Sequence, residues 1–154
     1  MSDLPRMSDL ALEDRQAIAE LVYRYAWASD SRDFPALRRL FASDGEIVLR
    51  DLRRDQEQVI KGAETIASFV EQRHAAEFAR GDRRRHFTSN FFVESFDGTV
   101  AVARSYFCVF SAVQGQTRQP ASTGHYEDRV RKFPDGWKFV QRLITIEAGW
   151  TGSG

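Results

Sequence analysis

The sequence lacks several features that would place it in a common protein class. Its one cysteine, Cys108, excludes an internal disulfide and favours a reducing compartment. Basic and acidic residues number 22 each, whereas a nucleic-acid-binding protein usually carries a basic excess. No apolar run approaches the roughly 20 residues of a membrane span, and the polar start MSDLPRMSDLALEDR is unlike a signal peptide. We therefore predict a cytoplasmic protein that binds neither nucleic acid nor membranes.

Metal and cofactor sites also lack a signal. The three histidines, His74, His86 and His125, are far apart, and none has the short spacing to another histidine that a metal site uses. Cys108 lies in an apolar segment, where cysteine is normally an inert core residue. We expect neither a metal nor a cofactor.

Apolar residues, by contrast, are plentiful. They make up 42% of the 154 residues and include 12 phenylalanines. A chain of this size buries roughly 70% of its unfolded surface as one domain. We interpret residues 1–154 as a single domain with flexible ends at 1–10 and 149–154.

The order of the sequence patterns predicts an α+β fold. Apolar residues with helical spacing predict helices from Leu12 to about Asp30, from Phe34 to Ala42 and from Gly62 to about Ala79. The segment EIVLRD predicts a strand before the third helix. Four strand-like segments then follow: Arg84–Phe96, Val100–Val113, Ser122–Phe133 and Trp137–Ala148. Helices followed by a run of antiparallel strands are typical of the α+β class.

Several motifs occur in the order of a known family. They are LVYRYAWASDSRDFPALRRLFASDGEI, RHFTSN, FDGTVAVARSYF, TGHYEDRV and DGWKFVQR. From about residue 12 to 146 the chain resembles the SnoaL-like branch of the nuclear transport factor 2-like superfamily. The resemblance implies a cone-shaped α+β barrel, in which three N-terminal helices pack on a strongly curved, mixed, mainly antiparallel sheet. It also implies one enclosed pocket, and such a fold alone does not settle function.

The resemblance also implies catalytic residues. Scytalone dehydratase, bile-acid dehydratase and hexachlorocyclohexane dehydrochlorinase place an aspartate at the end of the first helix against a histidine that begins a strand. These residues match Asp30 and His86, and the bile-acid enzyme has a tyrosine that matches Tyr25. Histidine is the natural base for removing a proton next to a carbonyl, and a carboxylate would orient its ring. Tyr25 would donate to an oxygen of the substrate.

Alternation along a strand places His86 and Asn90 on one face, which either meets water or lines a pocket. We expect Asn90 to bind substrate or hold a structural hydrogen bond, because an amide cannot act as a base. Trp27 shares a helical stripe with Asp30 and is a second candidate for substrate binding.

Two further candidates for substrate binding lie on the last strands. Only one of His125 and Tyr126 can face the pocket, and we favour Tyr126 inside. Arg142 interrupts an apolar strand, where it would either anchor a polar substrate group or form an ion pair; we prefer the ion pair, with Asp128 or Glu94.

A short run of basic residues leads into the segment that contains His86. Arg80, Arg83, Arg84 and Arg85 are interpreted as a solvated loop, with a mouth that attracts anionic substrates as the alternative. His74, on the third predicted helix, is expected to be exposed.

The leading hypothesis is a cofactor-independent lyase or isomerase that acts on a small, largely apolar molecule. A steroid, a polyketide or an aromatic catabolite would fit, with or without an anionic group. The alternatives are a non-catalytic binding or assembly subunit, and an epoxide hydrolase or polyketide cyclase. Hydrophobic strand faces predict a homodimer or homotrimer that associates through the outer sheet face.

Overall fold

The computed structural model describes residues 10–147, and its helices lie in the first half of the chain. Helix α1 spans Leu12–Ser31, α2 spans Phe34–Arg39, α3 spans Ala63–Arg73 and α4 spans Ala75–Ala79. The ends predicted to be flexible lie outside the described residues, except for Leu10, which is buried.

The strands form one sheet of six, in the order β2-β1-β6-β5-β4-β3. They are β1 Phe41–Asp51, β2 Gln56–Lys61, β3 Arg85–Phe96, β4 Val100–Ser111, β5 Gln119–Phe133 and β6 Gly136–Ile146. Strands β1 and β6 pair in parallel, and the other neighbours are antiparallel. The α+β class and the mixed, mainly antiparallel sheet are confirmed. The sheet does not close into a full barrel, because β2 and β3 remain its two edges.

The core lies between the helices and the inner face of the sheet. Ile18 and Val22 of α1 and Ile66 of α3 are fully buried, as the helical spacing of the apolar residues requires. In β4 every second residue, from Ala101 to Val109, faces inward and is buried. The helices therefore cover one face of the sheet and leave the other to solvent.

The predicted third helix is interrupted at His74. Helix α3 ends at Arg73, and α4 begins at Ala75. His74 is the C-cap residue of α3 and the N-cap residue of α4. Its backbone angles are non-helical, with φ −111° and ψ 8°. The break turns the chain, so that residues after His74 lie beside the beginning of β3.

The inner and outer faces of β3 differ from the prediction. Asn90 has a φ of 54°, and the pairing of β3 with β4 shifts register between Ser89 and Phe92. Because such a bulge interrupts the alternation of side chains, Asn90 no longer shares a face with His86. Phe87 and Phe92 lie on the outer face and are 59% and 48% exposed.

The outer face of the sheet carries several exposed aromatic side chains. Tyr106 of β4 joins Phe87 and Phe92 there. The expected self-association through this face stays a prediction. Among residues 10–147, no helix has the length and apolarity needed to cross a membrane.

Candidate active site

Asp30 and His86 meet where α1 ends and β3 begins. The Oδ1 atom of Asp30 lies 2.6 Å from His86 Nδ1, and its Oδ2 accepts a hydrogen bond of 2.9 Å from the His86 backbone N–H. Both side chains are largely buried, with exposures of 13% and 10%. Two bonds to one residue fix the carboxylate, and its contact at Nδ1 favours a proton there. The other ring nitrogen, Nε2, is then the one that can accept a proton from a ligand.

The pair lies in a small recess beside a larger cavity. The recess has a volume of about 30 Å³, and the main cavity has a volume of about 290 Å³. His74, Glu77 and Arg84 line both spaces. Asp30 and His86 line the recess but not the main cavity, so the expectation of one enclosed pocket that holds the catalytic pair is corrected.

Part of the main cavity wall is apolar, with side chains drawn from α3 and the inner face of the sheet. Its apolar side chains include Ile47, Leu49, Phe69, Val70, Phe107 and Val109. Gly124, opposite Phe107 in the sheet, allows this packing, since a Cβ there would lie 2.8 Å from the Phe107 ring and 1.9 Å from the Thr145 carbonyl oxygen. Such a lining suits an apolar ligand.

Tyr25 and Tyr126 add two phenols to the cavity lining. They are 5% and 3% exposed, and their rings meet edge to face with centroids 6.3 Å apart. Burial raises the pKa of both tyrosines, so their hydroxyl groups remain neutral donors. The inward orientation of Tyr126 is confirmed, and His125 pairs with Glu147 at 3.2 Å on the other face.

Arg142 lies beneath the two tyrosines and does not line the cavity. It is fully buried and forms two hydrogen bonds with Asp128, from Nε at 2.7 Å and from Nη2 at 2.8 Å. Its guanidinium carbon lies 4.2 Å from the Tyr25 ring centroid and 4.0 Å from that of Tyr126. The ion pair with Asp128 is confirmed, and the alternative role in substrate binding is corrected. Arg142 instead supports the tyrosines from below.

Two other candidates for substrate binding lie away from the cavity. Trp27 is 78% exposed on the side of α1 that faces solvent. Asn90 is exposed at the bulge in β3 and lines a separate, open depression together with Phe92 and Tyr106. Both assignments are corrected.

Only one residue of the basic run reaches the cavity. Arg84 pairs with Glu77 at 3.4 Å and with Asp82 at 3.2 Å. Arg80 and Arg85 are exposed outside it, and Arg83 stacks on the Phe78 ring at 3.9 Å. The solvated loop is thus the better description for most of the run.

Sequence reasoning missed His74, which was expected to be exposed. It is half-buried, and its Nδ1 atom has no hydrogen-bond partner within residues 10–147. Its ring centroid lies 6.4 Å from that of His86. Burial is the main cause that lowers the pKa of His74 to about 4, and the charges of Arg84 and Arg73 act in the same direction. His74 is therefore a neutral group at the boundary between recess and cavity.

This buried histidine predicts a loss of stability in acid. Because the pKa of His74 is about 4 when folded and 6.5 in its unperturbed form, the unfolded chain binds more protons between these values. The free energy of unfolding should fall as pH drops from about 6.5 to about 4, by up to about 3 kcal/mol from this residue. Urea unfolding at several pH values measures how the free energy of unfolding depends on pH. His74→Gln should flatten this dependence, whereas the exposed-face control His125→Gln should not; equal profiles for all three proteins would contradict the assignment.

Sequence reasoning also missed three arginines on the cavity wall. Arg53 and Arg54 lie in the turn between β1 and β2, and Arg73 ends α3. The signal was present in the segment DLRRD, but β2 and its hairpin with β1 were not predicted. Among the described residues, no group of three or more His, Cys, Asp or Glu side chains is arranged to hold a metal ion.

Comparisons with known proteins agree with this architecture. The family model described as a SnoaL-like domain matches residues 10–143. An NTF2-like protein with a cystatin-like fold from Novosphingobium aromaticivorans is 33% identical, with a TM-score of 0.76 over 91% of this chain and 86% of its own. A protein of unknown function from Nostoc punctiforme is 26% identical, with a TM-score of 0.73 over 92% of this chain and 97% of its own. Aln2 from a Streptomyces species, 18% identical, shares the fold with a TM-score of 0.75 over 89% and 93% of the two chains. No curated protein matches the sequence.

Proposed function

Because the chain belongs to the SnoaL-like domain family, with the NTF2-like fold that its motifs predicted, we propose that it is a cofactor-independent lyase or isomerase. Its substrate would be a small, largely apolar molecule such as a steroid, a polyketide or an aromatic catabolite. The observation that carries the proposal is the 2.6 Å contact between Asp30 and His86 in a recess beside a partly apolar cavity.

His86 is the proposed base. Its Nε2 takes a proton from a carbon next to a carbonyl group, while Asp30 at Nδ1 holds the ring and stabilises the imidazolium that forms. The electron pair of the broken C–H bond becomes a C=C bond of an enolate. In an elimination, the hydroxyl group of the next carbon then leaves as water, taking the proton from the His86 imidazolium; in an isomerisation, His86 returns the proton to another carbon.

Tyr25 is the proposed donor to the carbonyl oxygen. It lines the cavity, and its raised pKa keeps the proton on the phenol. A hydrogen bond to the oxygen of a developing enolate would strengthen as charge builds up there. Tyr126, which contacts Tyr25, would bind the ring of the substrate.

A second candidate function, binding without catalysis, is favoured by one observation. The recess that holds Asp30 and His86 measures about 30 Å³ and is distinct from the main cavity, although His74, Glu77 and Arg84 line both. A ligand held only in the main cavity would not reach His86 unless these side chains move. The two candidates differ in whether His86 touches the ligand.

The proposal is tested with a panel of cyclic and aromatic β-hydroxy ketones. We expect the protein to convert at least one member, and mass spectrometry separates elimination, which removes water, from isomerisation, which keeps the mass. The His86→Ala variant should form product about 10²–10⁴-fold more slowly than the wild type. His125→Ala is the matched control, because His125 also contacts a carboxylate but lies on the outer face. Binding of panel members with no product from any of them would favour the second candidate.

The remaining parts of the proposal concern the setting of the protein. We propose a homodimer or homotrimer that forms through the aromatic outer face, in the cytoplasm and without nucleic-acid or membrane partners. Light scattering at micromolar protein concentration tests the oligomer, and a monomer would contradict it.

A further inference from the structure

Three arginines lie together on one wall of the main cavity, and we call them the arginine cluster. They are Arg53 and Arg54, from the turn between β1 and β2, and Arg73, the last residue of α3. A hairpin and a helix end thus bring three guanidinium groups to one side of a partly apolar cavity.

The arginine cluster carries more positive charge than its acidic neighbour offsets. Asp51, buried at the end of β1, accepts hydrogen bonds of 2.9 and 2.8 Å from the Arg53 side chain. The same carboxylate lies 3.9 Å from Arg54. Arg73 forms no ion pair with any carboxylate of residues 10–147, and its guanidinium carbon lies 5.9 Å from the Phe69 ring centroid. Three guanidinium groups therefore share one carboxylate.

Arg73 is the member that most clearly lacks a counterion. One side of it meets solvent, while on the cavity side burial lowers its pKa, and repulsion from Arg53 and Arg54 acts in the same direction. Taking a cation partly out of water without a partner has a free-energy cost. An anion in the cavity would offset that cost by pairing with Arg73.

The other arginine of the main cavity differs from the arginine cluster. Arg84 lies between two acidic side chains, Glu77 at 3.4 Å and Asp82 at 3.2 Å, and its charge is already compensated. The positive excess thus belongs to the wall formed by Arg53, Arg54 and Arg73. The apolar lining supplied by Ile47, Leu49, Phe69, Phe107 and Val109 completes an amphipathic site.

We propose that the main cavity binds a small apolar ring compound that carries a carboxylate, with the carboxylate at the arginine cluster. The body of the ligand packs against the apolar lining, in a volume of about 290 Å³, near the lower limit of roughly 300–1,000 Å³ for ligand pockets. Guanidinium groups suit a carboxylate because their planar donors can bind both of its oxygens. The inference rests on the proposed function for the reaction that follows, since a fixed carboxylate determines which carbon of the ligand faces the recess of His86.

The experiment compares two probes of the same shape, naphthoate and its neutral amide, naphthamide, by isothermal titration calorimetry. We expect the wild-type protein to bind naphthoate about tenfold more tightly, a ratio typical of one charge-assisted contact. Arg73→Gln should remove most of this preference by weakening naphthoate binding alone. Raising the salt concentration should also weaken naphthoate binding more than naphthamide binding.

Arg80→Gln is the matched control, since Arg80 is exposed and lies outside the main cavity. It should leave the affinities for both probes unchanged. Equal affinity of the wild type for the two probes, no binding of either probe, or an equal loss of both in Arg73→Gln would overturn the proposal.

The outcome is separable from that of the proposed function, because binding of these probes requires no proton transfer. If the wild-type protein shows no preference for naphthoate over naphthamide but does show His86-dependent turnover, the arginine site alone is overturned. A preserved preference without any His86-dependent turnover would overturn the catalytic proposal alone.

Discussion

His86→Ala is expected to lower turnover of a true substrate by about 10²–10⁴-fold, the usual contribution of a positioned general base. The variant should still bind ligand, because the apolar lining and the tyrosines of the main cavity remain. The measurement is turnover by His86→Ala and wild type, with a parallel binding titration. A near wild-type rate in His86→Ala would reduce the histidine to a structural partner of Asp30.

Asp30→Asn should also lower turnover, since an amide can neither hold the Nδ1 proton nor stabilise an imidazolium as a carboxylate does. If Asp30 acts only through His86, the double variant should be no slower than His86→Ala. If the two substitutions lower turnover additively in the double variant, Asp30 has a separate role, such as holding the start of β3 through the His86 backbone N–H.

Arg142→Met is expected to lower the free energy of unfolding by about 3–5 kcal/mol, because it leaves the Asp128 carboxylate buried without a partner. Urea unfolding measures this change. Arg104→Met is the matched control: Arg104 also pairs with carboxylates of neighbouring strands, Glu94 and Glu127, but is 39% exposed, and such a pair contributes about 0–1 kcal/mol.

Should Arg142→Met fail to fold, the double variant Arg142→Met/Asp128→Leu decides the matter. Replacing both charges with apolar side chains removes the unpaired carboxylate, so the double variant should be more stable than the single one. Similar decreases in the free energy of unfolding for Arg142→Met and Arg104→Met would show that the buried Arg142–Asp128 pair contributes no more to stability than an exposed ion pair.

The sequence predicted the class of the fold because most of its elements have strong periodic patterns. Helix α1 and strands β4 to β6 lie close to their predicted positions, since their apolar residues recur with a single helical or strand period. Strand β2 was missed because QEQVIK is an edge strand whose residues, apart from Ile60, are exposed. An exposed edge has little apolar patterning by which sequence can identify it.

Single-residue backbone changes explain why parts of the site could not be predicted. A helical period through Gly62–Ala79 gives no sign that His74 interrupts it, because that break depends on packing against the recess. The bulge at Asn90 likewise moved Phe92 and Asn90 to the outer face, and alternation alone cannot anticipate it. Asp30 and His86, 56 residues apart, were matched through the family resemblance, since no local pattern joins them.

The exchange of protons between a ligand and solvent tests the central claim most directly. β-Tetralone, a bicyclic ketone with acidic protons next to its carbonyl group, is incubated with the protein in heavy water, and deuterium incorporation is followed by NMR. Exchange faster than the uncatalysed rate in the wild type and in His125→Ala, but not in His86→Ala, is the result that the account predicts. Equally fast exchange in His86→Ala, or none above background in the wild type despite bound ketone, would contradict it.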